Sequence, residues 1–127
     1  AGLAEAVKSA RTRKRSGKRI GAFQLYQGDV AGMATRREAS RQLCDQAARL
    51  HDEGHPDRNR VTAMAKLFCT EAAAEAAGKS VVMLGARGYN NAFPVERYYR
   101  DIKGLEIYEG SSHIQRLIIA RDIIGKP

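Results

Sequence analysis

The sequence predicts an all-α domain, an up-and-down four-helix bundle, and three observations carry that expectation. Apolar residues recur at mostly three- or four-residue spacing along two long stretches, Phe23–Leu50 and Val61–Val82. Turn-forming segments, His51-Asp52-Glu53-Gly54-His55-Pro56 and Gly85-Ala86-Arg87-Gly88, fall after them. The sole β-like run, Val81-Val82-Met83-Leu84, continues its helix too directly to stand as a strand. At 127 residues, a single domain with one core is expected, large enough to fold without disulfides.

Taken in order, Ala1–Arg15 reads as the tail of a helix already under way, stopped near Ser16-Gly17, where glycine closes the last turn. From Phe23 to Leu50, Tyr26, Val30, Met33, Leu43, Ala47 and Leu50 mark the buried face, and Arg36, Arg37, Glu38 and Arg41 cover the others. His51–Pro56 ends that helix with glycine and proline together. Asp57 is placed to cap the next, which runs to about Leu84 through Val61, Met64, Ala65, Phe68, Ala72, Ala76 and Val82. Its Ala72–Ala77 stretch favours helix and permits close approach, and Gly78 reads as a packing position. Gly85–Gly88 breaks the helix and Tyr89–Phe93 is a loop. Pro94 starts a short helix to about Ile102, as proline prefers the first turn. Lys103–Gly110 is a connection, and Ile114–Ile124 is the final helix. The two long helices pair antiparallel across a short turn, with two others flanking them.

Composition narrows the function. No run approaches the ~18 apolar residues a membrane helix needs, so no span is expected. No secretory leader is expected either, because Ala1–Ala10 carries charges inside a helical pattern. Cys44 and Cys69 read as two buried free thiols of a reducing compartment. His51 and His55 have metal-ligand spacing, but Gly54 and Pro56 interrupt the helix, so they read as exposed turn residues with no metal. Net charge is +8, and seven of the basic residues, Lys8, Arg11, Arg13, Lys14, Arg15, Lys18 and Arg19, crowd the first nineteen positions. Such a cluster suits nucleic-acid phosphates, a nucleotide pyrophosphate or an acidic protein surface. Without interleaved aromatic residues or a nucleic-acid motif, nucleic acid is the poorest of these.

The most informative stretch is Ile107–Arg116. Glu109 stands beside Gly110, and Ser111 and Ser112 open an apolar-patterned helix. A carboxylate on a short loop at the positive end of a helix suits a general base held at one place over a substrate. A solvent-facing acid favoured by the helix dipole is the plainer alternative.

With Pro94-Val95-Glu96-Arg97, Arg100-Asp101 and Ile118-Ile119-Ala120-Arg121, this stretch resembles the C-terminal region of acyl-CoA dehydrogenases. Further matches are Arg13, Gly17, Ile20, Phe23-Gln24, Met64-Ala65-Lys66 and Gly85-Ala86-Arg87-Gly88-Tyr89, in the family's order. The resemblance implies the last of three parts. The family's preceding helical and β-domains are absent from these residues.

It also implies FAD-dependent oxidation of an acyl thioester to the 2,3-enoyl product. Glu109 is then the base, its own N–H a donor to the thioester carbonyl, and Gly110 the gap through which the thioester passes. Burial by substrate and flavin is expected to make the Glu109 carboxylate a stronger base. Tyr108 lines the acyl pocket and Arg121 approaches acyl-CoA; a core tyrosine and a helix-end arginine are the alternatives. Ser111 and His113 fall at flavin contacts. Arg13 and Gln24 match contacts to a partner subunit's flavin pyrophosphate region, and Gly85 and Ala86 match the turn beside its adenosine half.

Departures gather in that lent set. Ser16, Arg15 and Arg19 replace phenylalanine, a smaller polar residue and proline, Val82 replaces glutamine, and Ala86 replaces glycine. His113 replaces an amide or acid. A homo- or hetero-oligomer is implied, reoxidised by an electron-transferring flavoprotein. The departures leave open a split-site or non-catalytic subunit of a heteromeric enzyme.

Overall fold

Helix α3, Arg58–Leu84, runs through the middle of the fold, and four other helices pack on it: α1 (Gly2–Thr12), α2 (Gln24–Asp52), α5 (Pro94–Leu105) and α6 (Ser112–Ile124). The computed structural model describes residues 1–125. A helix approached from several sides needs more than a narrow apolar stripe, and α3 buries small residues over a broad arc: Ala63, Ala65, Thr70, Ala72, Ala77 and Ser80. Antiparallel pairing of α2 with α3 follows from their cross-contacts, Asp29–Lys79, Arg36–Glu75 and Cys44–Cys69. The expected all-α bundle is thus present, centred on α3.

One core cluster joins Ala6, Met33, Met83, Leu84 and Val95, with Leu3, Tyr26, Val30, Ala76, Val81 and Tyr98 against it. A second joins Ala47, Val61 and Ala65 with Leu43 and Leu50. The buried large side chains, Met33, Val61, Met83, Leu84 and Val95, each contribute about 1.5–3 kcal/mol by leaving water. The α2 face expected from spacing is therefore the one that packs. Gly78 faces the Tyr99 ring, where a methyl would make ordinary contact at 3.4 Å.

Several boundaries differ from the expectation. Helix α1 stops at Thr12, and Lys14–Arg15 (β1) and Lys18–Arg19 (β2) form a small antiparallel hairpin where only a helix end was expected. The turn residues Ser16 and Gly17 have φ of 50° and 77°, the paired positive values of a two-residue hairpin turn. Buried Ile20, in the 3-10 turn Ile20–Ala22, anchors the hairpin's far end. Asp57 precedes α3 but caps nothing: its backbone is already helical, and its carboxylate pairs with Arg60 at 2.7 Å. A single helical turn, α4 (Ala86–Tyr89), shortens the expected loop, and α5 continues to Leu105, past Ile102. Val82, one of the apolar positions that run along α3, is 80% exposed. Cys44 is exposed and Cys69 only half-buried, so the expected burial of both thiols does not hold. No helix among the described residues is long and apolar enough to cross a membrane.

Candidate functional site

The link between α5 and α6 is Glu106–Ser111, and its backbone is unusual. Glu109 has φ 53°, one of only two non-glycine residues with positive φ among those described, and Gly110 follows at φ 86°. A β-carbon on Gly110 would lie 2.5 Å from Gln115 Nε2, so any other residue there is strained in its torsion and must displace the Gln115 amide. Left-handed backbone at a carboxylate is sparsely populated and persists where surrounding contacts over-determine it.

Those contacts come from both ends of the link and from two helices. The Tyr108 N–H donates to the Gly104 carbonyl at 3.1 Å, and the Ser112 N–H reaches back to the Glu106 carbonyl at 3.2 Å. The Gly110 carbonyl accepts from Lys66 Nζ of α3 at 2.6 Å and from Gln115 Nε2 of α6 at 3.1 Å. Gln115 is buried. Ser111 stands at the N-cap of α6, with the Ile114 N–H a long 3.5 Å from its hydroxyl. Ion pairs Arg116–Glu71 at 2.5 Å and Arg60–Asp122 at 2.6 Å hold α6 along α3. Arg116 and Glu71 are exposed and Arg60 is half-buried, and pairs near the surface contribute about 0–1 kcal/mol each.

Glu109 itself is exposed, and its carboxylate joins no ion pair among the described residues. The backbone N–H groups of Glu109 and Gly110 donate to no protein acceptor among the described residues. An exposed glutamate and two amides without a protein acceptor thus sit together on one braced loop. Such amides can bind an acceptor oxygen of a small ligand while the carboxylate takes up a proton from the same ligand. Tyr108 lines a cavity of about 540 Å³ with Tyr98, Ile102, Leu105, Ala72 and Cys69. His113 is exposed on the first turn of α6. Arg121 is exposed on its last turn and in no ion pair among the described residues.

A second group assembles at the far end of α3. Arg13 Nη1 donates to the Leu84 carbonyl at 2.8 Å, placing its guanidinium within 4 Å of the Cβ direction of Gly85. Gly85 adopts φ 61° as α3 ends, and Ala86 follows, exposed. Arg13, Gly85 and Ala86, far apart in sequence, therefore form one patch. Arg13 Nε and Nη2 donate to no protein acceptor among the described residues, and a guanidinium fork fits a phosphate group. Val82, exposed beside them, offers no hydrogen bond. Gln24 opens α2, exposed. Lys66 and Leu84 stand about 27 Å apart along α3 at about 1.5 Å per residue, so the two groups serve different places. The Arg13 guanidinium thus offers donors that fit a phosphate group, while Val82 and Ala86 near it bring no polar side chain.

Lys66 and Gln115 went unassigned in the sequence reading. Their signal was present: a lysine between Ala65 and Leu67 in an apolar run, and an amide between Ile114 and Arg116.

The sequence model of a family described as "Acyl-CoA dehydrogenase, C-terminal domain" matches residues 1–124. An acyl-CoA dehydrogenase of Bacillus subtilis is 43% identical over 125 residues, 98% of this chain and 33% of that protein. The caffeyl-CoA reductase–Etf complex subunit CarC of Acetobacterium woodii is 39% identical over 124 residues, 98% of this chain and 32% of that protein. Among solved structures, the FAD complex of PigA superposes with a TM-score of 0.92 at 28% identity, covering 96% of this chain and 32% of that one. The chain spans about a third of the length of the curated relatives it matches.

Proposed function

Because this chain belongs to the acyl-CoA dehydrogenase family, as its C-terminal domain, we propose that Glu109 is the general base of an α,β-dehydrogenation of an acyl-CoA thioester. The observation that carries this reading is the braced left-handed loop, which presents the Glu109 carboxylate beside two unbonded amides. FAD, when bound, supplies the acceptor for the hydride that leaves the β-carbon. Glu109 takes the α-proton, and its own N–H donates to the thioester carbonyl oxygen, stabilising the charge that gathers there. Gly110 leaves space for the thioester. Tyr108 lies along the acyl chain, and Arg121 faces the anionic CoA. Ser111 and His113 lie toward the flavin, and Arg13 and Gln24, with the Gly85–Ala86 turn, are lent to the flavin of a neighbouring subunit.

The apolar side chains that α6 and its approach leave exposed, Ile107, Leu117, Ile118, Ile123 and Ile124, support cover by other domains or subunits. We place the protein in the cytoplasm, or the mitochondrial matrix of a eukaryote, with an electron-transferring flavoprotein as reoxidant. The Etf-complex subunit among the relatives supports that partner. A second reading is favoured by exposed Val82 and by Ala86: a subunit of a heteromeric enzyme that supplies Glu109 to one site and lends little to another.

The test is Glu109→Gln in the full flavoprotein, with anaerobic single-turnover reduction of the flavin. The probe is the fastest of a series of saturated acyl-CoAs from butyryl- to palmitoyl-CoA. Loss of a positioned base lowers the rate about 100- to 10,000-fold while flavin stays bound. Turnover near that of the parent removes Glu109 from the mechanism.

A further inference from the structure

We propose that Lys66 is a positioning residue for this reaction: it ties the base-carrying loop to the central helix of the bundle. The inference rests on Glu109 being the base.

Lys66 is half-buried in the first half of α3, and it is in no ion pair among the described residues. Its ammonium instead donates to a neutral acceptor, the Gly110 carbonyl, at 2.6 Å. The same oxygen accepts from buried Gln115 at 3.1 Å, so two donors on two helices converge on one carbonyl. A carbonyl oxygen has two lone pairs, and both are taken. Fixing that carbonyl fixes the peptide plane directly after Glu109–Gly110, where the backbone is left-handed twice in succession, at φ 53° and 86°. A link of this kind relaxes to a commoner torsion unless contacts hold it.

The two donors are not equivalent. Gln115 lies only five residues beyond Gly110, on the helix the link leads into, so it moves with the loop. Lys66 is 44 residues away on α3, the helix the other long helices pack against. The ammonium is therefore the contact that sets the loop's place relative to the rest of the molecule. The relevant sensitivity is high, since a displacement of about 1 Å can cost about a hundredfold in rate.

The experiment uses the full flavoprotein with Lys66→Met, which keeps most of the stem and removes the donor. Anaerobic single-turnover reduction by the same acyl-CoA series is measured beside flavin content and the apparent Kd of the acyl-CoA. The limiting rate falls about ten- to a hundredfold, while flavin content and Kd stay within about threefold. Lys66→Arg, which keeps a cationic donor, reduces faster than Lys66→Met. A Lys66→Met rate within threefold of the parent, with Glu109→Gln slow, overturns the tether alone. So does a fall of rate, flavin content and binding together, or an arginine variant as slow as methionine with flavin intact. If Glu109→Gln runs at the parent rate, the base assignment falls, and this inference falls with it.

Discussion

Substituting Gly110 by alanine tests the loop at its tightest point. The new methyl meets Gln115 Nε2 at 2.5 Å, too close to accept, so the amide swings away and its 3.1 Å bond to the Gly110 carbonyl is lost. That bond is worth about 1 kcal/mol. Alanine must also hold φ 86°, where an L-residue is strained by about 1–3 kcal/mol. Together these give a destabilisation of about 2–4 kcal/mol if the loop keeps its shape. The loop can instead give way, shedding the strain but displacing Glu109, and the loss then appears as rate. Urea unfolding followed by far-UV circular dichroism reads the first outcome, and anaerobic flavin reduction the second. A variant within about 0.5 kcal/mol of the parent that also reduces at the parent rate would show that the loop geometry is neither strained nor used.

Two other predictions concern thiols and cofactor. Burial, and then the neighbouring Cys44 thiol, push the Cys69 thiol up to about 11, whereas Cys44 is exposed. Iodoacetamide therefore labels Cys44 first at pH 8, and Cys69 labelling climbs about tenfold per pH unit toward its pKa; equal rates by mass spectrometry would refute this. The sign for stability follows: the folded state holds the Cys69 proton more tightly, so its contribution is intact below the ordinary thiol range and is lost as pH rises toward 11. Flavin stoichiometry in the purified complex separates the assemblies: fewer than one FAD per copy of this chain is expected of the heteromer, and one per copy refutes it.

Much of the helical framework was legible because helix formation and face selection are local. Met33, Ala47, Val61 and Ala65 recur at helical spacing, and the same spacing puts them on buried faces. Pro94 and Gly85 punctuate α5 and α3 through their own torsional limits, independent of neighbours in space. The run from Tyr108 to Ser111 likewise marked the loop-to-helix junction by residue type alone. The hairpin was missed because two residues per strand are too few to show alternation, and its turn depends on a serine taking a glycine-like torsion.

Sequence alone determined the bundle, its main buried faces and the loop that carries Glu109. Only the tertiary structure decided that Lys66 reaches Gly110, that Arg13 meets Leu84 and Gly85, that Cys44 faces Cys69, and that Val82 points to solvent. The division has a physical cause. A helix's torsions and apolar stripe are written in residues a few positions apart, whereas contacts between helices depend on their axial register and approach distance. Those two quantities are set by how side chains of several helices pack together, which no single stretch of chain encodes.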